Sequence, residues 1–154
     1  HTLRRQRQMC IRDRVFLEEN QSVCWWGVSL RSRGAKDPMV SQGVKHDGDT
    51  EWHKEHNKCS TFISVILHYQ AVSDGFKYCR STGAPDGAHE KLKNGGWKYA
   101  GEVNQLWAFS RQNQVVCFMP GGGLPFMPTM MLMAGGKTRA DLKSISDSLE
   151  VEFN

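Results

Sequence analysis

The sequence contains no H-E-x-x-H, no C-x-x-C, no complete phosphate loop and no internal repeat. No apolar run reaches the roughly 18–20 residues that span a bilayer as a helix. The nearest stretch, residues 119–136, is broken by three prolines and five glycines. Gly136-Lys137-Thr138 resembles the end of a phosphate loop, but the glycine needed five residues before Gly136 is Met131. His53-Lys54-Glu55 gives an H-x-E, yet no P-C-x-x-C follows, which excludes a zinc deaminase signature. Cys24, Cys59, Cys79 and Cys117 are widely spaced, and a chain of this length folds without bridges, so they read as small buried thiols.

The front of the chain is of a different character. Arg4-Arg5-Gln6-Arg7-Gln8-Met9-Cys10-Ile11-Arg12-Asp13-Arg14 resembles translated tagmentation adapter, the DNA ligated to fragments in shotgun sequencing libraries. Residues 1–14 are therefore expected to be a foreign, disordered leader. Residues 15–154 are expected to form one domain, truncated at its natural N-terminus. The whole chain carries 20 Lys and Arg against 16 Asp and Glu. Residues 4–14 hold five of those Arg and one Asp, leaving 15 basic and 15 acidic side chains in the body. A neutral body lacks the electrostatic footprint of a nucleic-acid or anionic-membrane binder. A cytoplasmic protein with a small-molecule or protein partner is expected.

Hydrophobic periodicity predicts an α+β fold, mainly antiparallel sheet with two or three short helices, in a single domain. Residues 23–30 read as a strand, 31–50 as a long polar loop and 51–58 as a short helix. Thr61–Gln70 reads as a strand with Ile63, Val65, Leu67 and Tyr69 on one face, and residues 76–81 as its hairpin partner. Residues 87–93 read as a helix capped by Asp86 and stopped by Gly95 at positive φ, and 97–103 as a strand. Residues 106–111 and 114–119 read as a hairpin with Trp107 facing Phe118 and Phe109 facing Val116. Residues 126–133 read as another strand. Thr138-Arg139-Ala140-Asp141 matches a capping box ahead of a helix with Leu142, Ile145 and Leu149 on one stripe, and 151–153 as a closing strand.

Two constellations carry chemistry. In the first, the helix expected over residues 51–58 sets His53 and His56 on one face, with Cys59 one turn on. Imidazole and thiolate suit zinc, three ligands plus water is the catalytic pattern, and Glu55 would be the base of a zinc-dependent hydrolase. In the second, Trp97, Trp107, Phe109, Phe118 and Met127 offer an aromatic and methionine surface on the sheet, suited to a ligand or partner.

Residues 88–153 also resemble the Thoeris anti-defence family. Ala88 and Leu92-Lys93-Asn94-Gly95 match the family's first helix. Met131-Leu132-Met133-Ala134-Gly135-Gly136 and Ser144-Ile145-Ser146-Asp147-Ser148-Leu149 with Phe153 match its terminal pattern. The family's Gly-Trp-Asn-Gly-Lys stretch is missing, and Ala140-Asp141 replaces its Pro-Trp pair. The resemblance implies a compact antiparallel sheet of phage origin that sequesters a cyclic nucleotide signal. The expected function is thus a non-enzymatic small-ligand or protein-binding module of microbial or phage origin. The alternatives are the zinc hydrolase and a truncated or mis-framed reading frame with no function.

Overall fold

A computed structural model describes residues 13–19, 22–32, 34–122 and 129–153. The chain adopts the expected class, α+β, and the described residues form two wholly antiparallel sheets of four and five strands and three α-helices. It groups into two compact units, His1–Phe62 and Ile63–Asn154. No helix among the described residues is long and apolar enough to cross a membrane.

The first unit is a meander of β1 (Asp13–Glu18), β2 (Cys24–Ser29), β3 (Met39–His46) and β4 (Asp49–Lys58), paired in that order. Two expectations fail here. The polar loop over 31–50 contains β3, and the helix over 51–58 is the strand β4. Asp47 and Gly48 both take positive φ, 46° and 90°, which forms the tight hairpin that joins the two strands. Strand β1 starts at Asp13, so the last two residues assigned to the leader pair with Ser29 and Val28. Gly27 permits this pairing, since a Cβ there would lie 2.6 Å from the carbonyl oxygen of Arg14. One sheet face carries Trp26 and buried Val40, with Phe62 packed 6.0 Å from the Trp26 ring. On the other, Gly43 sits between Trp25 and Trp52, and the Trp52 ring closes over the missing side chain.

Helix α1 (Cys59–Gln70) occupies the segment expected as a strand. Burial explains the correction: Phe62, Val65 and Val72 are buried while Ile63 and Leu67 are exposed, a helical period and not an alternating one. Its first turn is fixed from far upstream. The Cys59 N–H donates to Pro38 O at 2.8 Å. The Ser60 N–H and hydroxyl donate to the Asp37 carboxylate at 3.0 and 2.6 Å. That pair of hydrogen bonds holds the Asp37 carboxyl below its ordinary value.

The second unit holds β5 (Tyr78–Gly83), α2 (Ala88–Asn94), β6 (Lys98–Val103), β7 (Leu106–Arg111), β8 (Gln114–Pro120), β9 (Met130–Gly136) and α3 (Arg139–Leu149). The sheet order is β5-β9-β8-β7-β6. The β7–β8 hairpin has the expected register, with Trp107 opposite Phe118 and Phe109 opposite Val116. β5 pairs with β9 and makes no hairpin with residues 61–70, because those residues are helical. α2 is capped by Gly87 with no side-chain bond from Asp86, and the left-handed glycine after it is Gly96, since Gly95 has φ −87°. Residues 151–153 form no strand. Thr138 and Asp141 complete the expected capping box. Ile145 and Leu149 of α3, Ala88 and Leu92 of α2, and Phe109, Val116, Phe118 and Leu132 of the sheet bury one common core.

Two glycines set how closely the helical segments approach this sheet. Successive strand residues face opposite sides, so Gly135 and Gly136 leave a gap on each. A Cβ on Gly136 would stand 2.8 Å from Asp141 Cβ and 3.0 Å from the Leu142 nitrogen, in the first turns of α3. A Cβ on Gly135 would stand 2.8 Å from the Phe76 ring and 3.4 Å from Val72 Cα, beside the π-helical turn Ala71–Gly75.

Gly136→Ala lowers the midpoint of a cooperative thermal melt and costs about 1–3 kcal/mol, as overpacking against backbone does. Gly135→Ala costs less, because the Phe76 ring can turn aside. Asp37→Ala destabilises the chain at neutral pH. Since the folded carboxyl lies below its ordinary 3.8, the stabilisation it gives is present above that value and lost as pH falls through the lower folded one. The gap between wild type and Asp37→Ala in urea titrations therefore closes on acidification. A gap that widens in acid would contradict the assignment.

Candidate functional site

The second unit carries an open groove of about 620 Å³, lined by Lys77, Tyr78, Arg80, Arg139, Leu142 and Phe153. Its construction follows from the strand pairing. Tyr78 and Arg80 are two apart on β5 and so share a face. They stand opposite Gly136 and Ala134 of β9, the smallest partners available. Those small residues let α3 begin directly beside β5, which sets Arg139 and Leu142 along the groove. The C-terminal segment forms the remaining wall. Glu150 turns the chain at φ 56°, the Val151 N–H donates to Ser146 O at 3.1 Å, and the Ser146 hydroxyl donates to Val151 O. The turn leaves Phe153 packed against the core edge.

The groove is cationic. Lys77 Nζ lies 5.4 Å and the Arg139 guanidinium 5.7 Å from the centre of the Tyr78 ring. Arg80 donates to its neighbour's carbonyl, Cys79 O, at 2.8 Å. No carboxylate among the described residues pairs with any of the three. Elsewhere in the unit, Lys91 of α2 pairs with Glu150 at 2.6 Å and Lys143 of α3 with Asp147 at 2.9 Å. Burial along Leu142 and Phe153 adds an apolar wall. The arrangement can hold an anionic group on the cations and a ring or hydrocarbon beside them.

The aromatic residues expected to bind a ligand are divided. Trp107 and Phe118 line a second, smaller pocket of about 220 Å³ at the start of α2. Phe109 is fully buried and belongs to the core. Trp97 is also buried, beneath the Arg111 guanidinium at 4.5 Å. Met127 lies outside the described residues. Arg111 is itself anchored, donating to Gln114 Oε1 and, at 2.8 Å, to Ser144 Oγ, while Gln114 donates to Asp141 O at 2.7 Å. These bonds clamp α3 to the β7–β8 hairpin. Sequence reasoning gave none of the groove residues a binding role: Arg139 was placed in a capping box, Leu142 on a helix stripe and Phe153 in a closing strand. The signal was thin: Lys77-Tyr78 and Arg80 alternate on a strand whose partner was not foreseen.

The proposed zinc ligands do not fit a metal. Strand β4 spreads residues three apart over roughly 10 Å, where a helix would stack them within about 5–6 Å. His53 is exposed, with Nε2 3.8 Å from Glu51 Oε1. His56 is exposed, Cys59 begins α1, and Glu55 is buried in the strand between them. Among the described residues no three His, Cys, Asp or Glu side chains converge to hold a metal ion. The hydrolase reading loses the helical premise on which it stood, and no step is derived through zinc.

The thiols follow burial. Cys24, Cys59, Cys79 and Cys117 are unbridged. Desolvation in the sheet pushes the Cys117 thiol up to about 12, and burial raises Cys59 and Cys79. No family model matches this chain, and no curated protein and no solved structure matches it either.

Brief alkylation of the native chain with iodoacetamide labels the half-buried Cys24 and leaves the buried Cys117 unmodified. Cys117 reacts only after unfolding, since a thiol supplies little thiolate while its folded value stays far above the working pH. Peptide mapping that finds native Cys117 labelled as fast as Cys24 would contradict the burial of β8.

Proposed function

We propose that this chain is a non-enzymatic small-ligand binding module, and that the groove beside α3 takes a phosphorylated small molecule. One observation carries the reading: Lys77, Arg80 and Arg139 line one groove with Tyr78 and have no carboxylate partner among the described residues, while Lys91 and Lys143 are each paired with an acid. Arginine recognises phosphoryl oxygens in a planar, two-pronged fashion, and lysine adds a mobile point charge. Leu142 and Phe153 would carry the apolar or ring portion. The volume, about 620 Å³, is in the range of drug-sized ligands. Absence of a converged nucleophile, base or metal set among these groove residues favours capture over turnover. The resemblance of residues 88–153 to the Thoeris anti-defence family points the same way, toward sequestration of a phosphorylated signal.

Isothermal titration with ADP, inorganic pyrophosphate and uncharged adenosine tests the reading on the full chain. ADP binds tightest, pyrophosphate more weakly and adenosine least, and affinity falls as salt screens the exposed cations. Replacing Arg80 and Arg139 together by Ala weakens ADP by about tenfold or more, equivalent to about 1.4 kcal/mol. Equal heats from ADP and adenosine, or a double variant that binds as wild type does, would dismiss the groove as a phosphate site.

A further inference from the structure

The smaller pocket has chemistry opposite to the groove. It opens where the β5–α2 connection passes over the ends of β7, β8 and β9, and it encloses about 220 Å³. Trp107, Phe118 and Met130 are its apolar wall residues, and His89, Asp86 and Glu90 also line it. The His89 ring is fixed by its surroundings. Its centroid lies 4.8 Å from the Trp107 ring and 5.1 Å from Phe109, edge-on at 81° to the latter. Phe118 and Tyr99 complete the ring cluster at 6.3 Å each. His89 is thus packed among aromatic rings beside the pocket. Glu90 Oε1 is 3.6 Å from His89 Nδ1 and largely exposed, at 70%.

We infer that this pocket binds a small organic cation of the methylated-ammonium class. Three features combine to this end. An indole face attracts a cation through its ring quadrupole, most strongly of the aromatic side chains. Two carboxylates at the same opening supply the compensating charge without burying it, so the desolvation cost stays small. The volume is below the usual span of drug-sized sites and suits a head group of a few heavy atoms. A neutral apolar ligand of the same shape would use the wall but gain nothing from Asp86 and Glu90. An anion would meet them as repulsion. The inference is independent of the groove, since the two sites share no residue.

Choline and its uncharged isostere 3,3-dimethyl-1-butanol separate charge recognition from shape. Chemical-shift titration of the full chain is expected to give choline at least about fivefold tighter than the isostere, about 1 kcal/mol of cation–π and charge attraction. Trp107→Leu abolishes the difference. The Asp86→Asn, Glu90→Gln double variant keeps the wall and the melt, and narrows the difference toward unity. Arg80→Ala with Arg139→Ala leaves choline binding unchanged, which keeps this result separate from that of the groove. Equal affinity for choline and its isostere, or no saturable shift of Trp107 with either, overturns the inference. Should Trp107→Leu fail to melt cooperatively, the acidic double variant decides alone.

Discussion

The second unit depends on a close approach that only Gly135 and Gly136 permit. They end β9, a strand flanked by β5 and β8, and their missing side chains face opposite sides of the sheet. On one side the backbone of α3 sits where a Cβ of residue 136 would be. On the other, Phe76 and the π-helical turn sit where that of residue 135 would be. Interiors packed to crystal density cannot absorb even one added methyl against fixed backbone without a shift. The distance from helix to sheet is therefore set by backbone contact and not by side-chain adjustment. Everything mounted on the start of α3, including the capping box and Arg139, inherits that distance.

A second layer of constraint is polar. α3 is held to the β7–β8 hairpin by the Arg111–Gln114 pair and its bonds to Ser144 and Asp141 O. It is tied to α2 by Lys91 and Glu150. The two ties differ in weight. The Lys91–Glu150 pair is exposed, so water and salt screen it and its worth is small. Gln114 is only 5% exposed, and each of its bonds satisfies a group that would be costly to leave unpaired. The buried bracket thus fixes where α3 lies, while the surface pair biases the direction of its C-terminal turn. That turn is what brings Phe153 back to the groove.

How much of this the sequence discloses depends on how local the deciding interaction is. The β7–β8 hairpin is legible down to its register, because cross-strand Trp107–Phe118 and Phe109–Val116 pairing is encoded within a dozen residues. The Thr138–Asp141 cap and the Ile145–Leu149 stripe are legible for the same reason. The first unit is misread at β3 and β4. Asp47-Gly48 is a strong hairpin signal, but the charged residues around it suggested a solvated loop and helix. Helix α1 is misread because Ile63, Val65, Leu67 and Tyr69 happen to alternate, and because its N-terminal cap is Asp37, 23 residues away. The class survives these errors, since exchanging one helix for one strand and the reverse leaves α+β intact. The groove was not legible at all. Tyr78 and Arg80 meet Arg139 only through β5–β9 pairing, which joins residues more than fifty positions apart.

The charge distribution gives the groove its meaning. Exposed cations in a folded protein usually sit near acids, because the pairing costs little and unlike charges drift together during sequence change. Lys143 has Asp147 one turn on, and Lys91 has Glu150. Lys77 and Arg139 instead flank the Tyr78 ring, Arg80 lines the same groove, and none of the three has such a partner among the described residues. Three like charges in one concavity repel each other, and low-dielectric walls such as Leu142 and Phe153 concentrate the field they produce. The cation–π contacts of Lys77 and Arg139 with the Tyr78 ring offset part of that repulsion. On the proposed reading, an anion entering the groove relieves the rest. The aromatic pocket beside α2 carries the opposite sign, with Asp86 and Glu90 among its lining residues and Glu90 Oε1 3.6 Å from His89 Nδ1. The second unit thus presents two concavities of opposite polarity.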